Sequence, residues 1–250
     1  MDPQTLFLAW RDQAQTRRWF PIGRLDVEPP RPVYRFRYTR GATQAKKIAG
    51  FEALPDFPQF ERDYKAAELF PLFQNRVMAP GRPDFEEYIK QLGLQAGQQD
   101  PVEILSVSGG RRITDALEVF PQLRRRPDGS FQCRFFLHGF SHASEAARER
   151  LHKLVSGERL NIALELTNPA TGFAVQVQTE DYFMIGWAPR YLVSDLARAI
   201  ATSPGKFSAH VVRLNPLPAP SRQRLLVEFR GQWPAGQEPM STEEFLPLVA

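Results

Sequence analysis

GERLNIALELTNPATGFAVQV at residues 157–177, followed by MIGWAPRYLVSDLARAI at 184–200, decides the architecture of this chain. In the first stretch, two runs of aliphatic residues flank TNPATG, where Asn168 and Pro169 supply turn chemistry, so the chain reads as two strands joined by a turn. The second stretch reads as a strand through Gly186 and Trp187, then a turn at Pro189 that opens a helix.

Outward from this centre the same periods continue. FSAHVVRLNP and RLLVEFRGQW, after the helix, read as strands. Before the centre, FQCRFFLHGF alternates as a strand, and SEAARERLHKLV places Ala147, Leu151, Leu154 and Val155 on one side of an amphipathic helix. Pro127, Asp128 and Gly129 make RRRPDGS a turn. Further upstream, QAGQQDP is polar and reads as a linker, while VEILSVSGGRR and DALEVFPQL suggest two strands, or a strand and an extended arm. In the first hundred residues VYRFRYTRG alternates, with Val33, Arg35 and Arg37 on one face and Tyr34, Phe36 and Tyr38 on the other. Pro29, Pro30 and Pro32 mark a loop before it, and Asp84 reads as the N-cap of FEEYIKQLGL. The expected organisation is α+β: a small unit over 1–95, a linker or extended arm over 96–130, a unit of strands with two helices over 131–232, and a polar tail over 233–250.

Composition agrees with a globular chain of 250 residues, 42% hydrophobic and 24% charged, and excludes disorder, collagen and coiled coil. No apolar run reaches the ~18 residues that span a bilayer, and an acid stands where a signal peptide carries bases, so a cytoplasmic location is expected. One cysteine, Cys133, excludes an internal disulfide. The net charge of +4 permits phosphate contact without demanding it, because clustering on one face decides that, and composition does not show clustering.

Three features of the C-terminal half carry a resemblance: Gly157–Glu158 entering a strand, Asn168–Pro169 followed by Ala174–Val175, and Ile185–Gly186–Trp187 with Pro189 before Tyr191–Leu192. In this order they resemble the HIRAN domain. The resemblance implies a β-barrel related to the OB fold, which in eukaryotic members holds the 3′ end of single-stranded DNA: aromatic faces stack a base, a carboxylate or amide binds the terminal hydroxyl and cations meet the phosphate. Position by position it points to Phe140, Ser141 and His142 after Gly139, to Asn168 and Thr171, and to Trp187, Arg190 and Tyr191. The chain departs from the family where an aromatic and an aspartate are replaced by Ala170 and Thr171, and in the loop after Gly139, where DNA-end-binding members carry a basic residue and aromatics and this chain has Phe140, Ser141, His142 and Ala143. Read as residues alone, Asn168 equally suits an Asx-turn, and Phe140 and Trp187 suit a core more readily than a ligand surface.

In the N-terminal half, IGRLDVEPPRPVYRFRYTRG, FEALPDFPQF and ELFPLFQNRVM resemble the N-terminal subdomain of HipA-type toxin kinases, which implies a protein-interaction surface. No glycine-rich phosphate loop or catalytic loop of a kinase follows.

Arg111, Arg112, Arg124, Arg125 and Arg126 flank the expected arm, so a hairpin would gather five guanidiniums into a phosphate track; a solvated loop is the alternative. Four histidines and Cys133 have no zinc spacing, Ser108–Gly109–Gly110 lacks the lysine of a P-loop, and the acidic pairs are sequence neighbours that do not face one another. The expected function is a non-enzymatic module, without cofactor or metal, that binds single-stranded DNA or DNA ends and offers residues 1–95 to a partner protein. The alternative is an interaction adaptor or antitoxin-like partner that binds no DNA end.

Overall fold

The computed structural model describes residues 4–28, 33–95, 99–169 and 171–249, the side chain of Ser141 excepted. The proline loop at Pro29, Pro30 and Pro32, the middle of the linker at 96–98, and Ala170 therefore lie outside the described residues. The chain forms two compact units, one of Met1–Glu86, Ala96–Gln122 and Met240–Ala250, the other of Glu87–Gln95 and Leu123–Pro239.

The first unit is an antiparallel sheet of β1 (Gln4–Arg11), β2 (Trp19–Glu28), β3 (Val33–Tyr38), β4 (Tyr64–Ala66) and β5 (Leu117–Pro121), in the order β4-β3-β2-β1-β5. Helices α1 (Arg40–Ala49) and α2 (Pro71–Gln74) belong to it, and the division between units falls inside α3 (Phe85–Gln91). The alternation read in VYRFRY is real: Tyr34, Phe36 and Tyr38 are buried, and Phe36 stacks on Phe57 with centroids 3.9 Å apart. The Tyr38 hydroxyl donates to Phe57 O at 2.7 Å and accepts the Leu54 N–H at 2.7 Å; burial pushes its pKa up to about 12.

Two stretches differ from expectation. VEILSVS is no strand but helix α4 (Pro101–Ser108). Asp100 accepts the Val102 N–H at 2.8 Å as its N-cap, Pro101 opens it, and Glu103 sits in its first turn. Those start signals outweigh the β-branched content, because caps satisfy donors that the first turn leaves unpaired. The segment expected as an arm thus supplies α4 and the edge strand β5, which pairs with β1 from Leu6↔Pro121 to Trp10↔Leu117. The expected tail also has a structural place: Leu248 N–H donates to Tyr38 O at 2.8 Å, and the Phe245 ring meets Phe7 edge-on at 5.0 Å.

The second unit holds β6 (Ser130–Phe136), α5 (Glu145–Leu151), β7 (Arg159–Asn168), β8 (Gly172–Thr179), β9 (Met184–Trp187), α6 (Arg190–Thr202), β10 (Ser208–Leu214) and β11 (Leu225–Gln232). The strands and both helices lie where the periodicity put them. Their sheet is antiparallel throughout, in the order β6-β11-β10-β7-β8-β9, around a core that includes Phe131, Phe135, Val177, Leu196 and Phe229. The expected closed barrel is not found. Its would-be closing strands, β6 and β9, are the sheet edges and meet at a single bridge, His138–Trp187, with an N–H···O bond of 2.9 Å in each direction. A four-residue β9 is too short to build a ladder along β6. Among the described residues no helix is long and apolar enough to cross a membrane.

Candidate nucleic-acid interface

The edge bridge positions the aromatic residue that the sequence singled out. Gly186 has φ 150, and a Cβ there would lie 2.5 Å from His138 O, so the backbones of β9 and the chain after β6 approach this closely only at glycine. Across from it Gly139, beyond the end of β6, has φ 75, and a Cβ on it would run into Cε3 of the Trp187 ring. The indole therefore lies against bare backbone. Its other restraint is polar: Nε1–H donates to Glu165 Oε2 at 2.6 Å.

Glu165 links this indole to the turn between β7 and β8. The same Oε2 accepts from Asn168 Nδ2 at 3.0 Å. The Thr171 hydroxyl lies 3.0 Å from Asn168 Oδ1 and 2.9 Å from Phe173 O, and shares its one proton between those acceptors. Trp187, Glu165, Asn168 and Thr171 thus form one connected cluster, in which the Asn168 side chain makes contacts beyond its own backbone. Phe140 is half-buried beside it in the short helical turn Phe140–His142, and His142 is exposed, its N–H donating to Gly139 O at 2.9 Å. Arg190 and Tyr191, both half-buried, open α6 two residues beyond Ala188.

The arginines are not gathered by a hairpin. Among the described residues β5 pairs only with β1, and the extended run from Ala116 to Gln122 puts Arg111–Arg112 and Arg124–Arg126 at opposite ends, with the first pair in one compact unit and the triplet in the other. Arg111 is 3.6 Å from Glu118 and stands over the Trp19 ring at 5.4 Å, while Arg112 is exposed. Arg124 and Arg126 are exposed and Arg125 half-buried; Arg126 Nη2 donates to Gln132 Oε1 at 2.8 Å. Residue-by-residue reading missed Glu165. Its only signal was a charge at an alternating position of an aliphatic strand, three residues before Asn168.

A small antiparallel β domain with an aromatic and carboxylate cluster at its bridged edge is the class that this geometry defines. Residues 130–234 match the family model of the HIRAN domain, so the C-terminal half contains a HIRAN domain. Among solved structures, a protein from Lactobacillus plantarum is similar at 18% identity and a TM-score of 0.31, over 41% of this chain and 97% of that one. The HIRAN domain of human HLTF is similar at 16% identity and a TM-score of 0.27, over 43% of this chain and 84% of that one. No curated protein matches the chain. The matched residues lie outside the N-terminal stretch that resembles HipA, so that resemblance gains no support from them.

Proposed function

We propose that this HIRAN domain binds DNA as a non-enzymatic module, taking single strands or frayed ends at the Trp187 edge, with residues 1–95 available to a partner protein. The observation that supports this most is the restrained indole: a half-buried tryptophan, backed by Gly139 and held at its N–H by Glu165, has little rotational freedom to lose when a base stacks on it. Such stacking is worth about 1–3 kcal/mol per base and tolerates any sequence. Phe140 would add a second aromatic ring, and Asn168 and Thr171, joined to the indole through Glu165, would offer amide and hydroxyl groups to a terminal ribose or phosphate oxygen.

Fluorescence anisotropy with labelled single strands, bearing either a free or a blocked 3′ hydroxyl, tests the reading. Binding at low salt that weakens on blocking is expected. Absence of binding overturns the proposal, and indifference to the block removes its end-specific part. Trp187→Ala should lower the affinity about tenfold or more, in line with the loss of one stacked base.

A further inference from the structure

On the outer side of β6, β11, β10 and β7, one row across the strands reads Arg134, Glu228, His210 and Arg159, each directly opposite the next. The adjoining row, Cys133, Phe229, Ala209 and Leu160, is buried, so these four side chains share the face turned away from the core. Glu228 is the anchor of this face. Its side chain is 5% exposed, and its oxygens are fully taken: Oε1 by Arg230 Nε at 2.7 Å and Nη2 at 2.6 Å, Oε2 by Arg134 Nε at 2.6 Å and by Gln132, which itself accepts from Arg126. Burial raises the pKa of Glu228, but the bonds from Arg134, Gln132 and Arg230 outweigh it and hold the carboxyl below its usual range, so the anchor stays charged.

The guanidiniums above it are unlike a buried ion pair. Arg134 and Arg230 remain 44% and 61% exposed, and Arg134 engages the carboxylate through Nε, which leaves its terminal edge for another acceptor. Arg159 is exposed in the same row. Two arginines thus hold one carboxylate directly and are already fixed in position, Arg126 reaches it through Gln132, and Arg159 stands in the same row beyond His210. An anion meeting them is spared much of the side-chain ordering that such contacts require.

Register ties this face to the Trp187 edge. The β6–β11 pairing runs without a shift and continues to Leu137, whose N–H donates to Leu225 O at 2.9 Å. With a side-chain period of two, Arg134, Phe136 and His138 face one way, and Trp187, opposite His138 in the bridge, faces with them. Phe136 and its partner Leu226 are buried, with Gly93 against Leu226, so a strand running from Trp187 to Arg134 crosses over that covered stretch. Arg134 is four residues from His138, or about 13 Å along the strand. We propose that Arg134 and Arg230, held by Glu228, and Arg159 form the track that takes the sugar–phosphate backbone of a nucleic-acid strand whose terminal base stacks at Trp187. This rests on the DNA-binding reading above and adds the direction in which the strand leaves the site.

The test uses the full chain and fluorescein-labelled oligothymidylates of about twelve and about three nucleotides, titrated at several salt concentrations between about 50 and 200 mM. One variant combines Arg134→Gln, Glu228→Gln and Arg230→Gln, so that no buried carboxylate is stranded; a second carries Arg159→Gln alone. Each single-strand phosphate contact contributes about 0.7 to the salt slope, so the longer probe should show a slope shallower by about 1.4 for the combined variant and by about 0.7 for Arg159→Gln. The short probe, which carries only about two or three phosphates, should show a smaller change in slope between wild type and variants than the long one. Wild-type slopes in variants with an unchanged circular dichroism spectrum would overturn the track while leaving Trp187 binding intact. A wild-type protein that binds neither probe would overturn the parent reading, and the track with it. If the combined variant fails to fold, Arg159→Gln, which touches no part of the Glu228 network, decides the question.

Discussion

Asp26 in the first unit and Glu228 in the second each hold two arginines, and the difference between them separates a structural ion pair from a surface prepared for a ligand. Asp26 accepts from Arg24 Nε and Arg37 Nη2, both at 2.8 Å, and from the Thr5 hydroxyl at 2.7 Å. Arg37 is 10% exposed and turns its other terminal nitrogen to Val249 O, so its guanidinium is enclosed within the unit and offers no edge to solvent. At Glu228 the carboxylate is the buried partner and the guanidiniums face solvent. The same chemistry closes one cluster and leaves the other with donors to spare. Counting arginines in the sequence does not distinguish the two, because the distinction lies in which end of each pair the strand faces bury.

Three experiments sharpen that contrast. The largest effect is expected from Asp26→Ala, which strands the buried Arg37 guanidinium: urea unfolding should show a loss of about 3 kcal/mol, with the DNA affinity of the folded protein unchanged. A loss below about 1 kcal/mol would mean that the cluster is as open as the one at Glu228.

Next comes Gly139→Ala. The residue takes a left-handed conformation and its new Cβ meets Trp187, so about 2 kcal/mol of stability should be lost and the indole displaced from Glu165. Single-strand affinity should fall with it, read by anisotropy. A folded variant that binds as wild type does would show that Trp187 is packing and not a platform.

The smallest effect is that of Glu228→Gln, about 1 kcal/mol near neutral pH. The folded pKa of Glu228 lies below its ordinary 4.5, so the carboxylate contributes stability above that pH and loses it as the pH falls through the folded value. Denaturation at a series of pH values should therefore show the gap between wild type and variant closing on acidification. A gap that stays constant down to the folded value would mean that the Arg134 and Arg230 bonds do not favour the ionised form.

Much of the second unit was legible in advance. The strands at 159–168, 172–179, 208–214 and 225–232 and the helix at 190–202 announce themselves by period and by the residues that break it, since alternation and turn chemistry are local. Trp187, Asn168 and Thr171 were named through the resemblance to the HIRAN domain, and the structure joins them in one hydrogen-bonded cluster. Glu165 and Glu228 were not. Each is a lone acid in an aliphatic strand, and its role depends on residues brought to it by pairing, Trp187 across β8 for one and Arg134 on the neighbouring strand for the other. The misread α4 is the opposite lesson, since Asp100, Pro101 and Glu103 carried the helix signal locally and the valines distracted from it.

What the amino-acid sequence determined by itself is most of the elements and, at Gly139 and Gly186, the missing Cβ that permits close approach, because backbone propensity, side-chain period and the absence of a Cβ act within a few residues. Only the tertiary structure decided that the five suspected arginines part company, that β6 and β9 meet at one bridge and no more, and that Arg134, Glu228, His210 and Arg159 stand in line. Those are matters of register between strands far apart in the chain, set by the packing of the buried row beneath them.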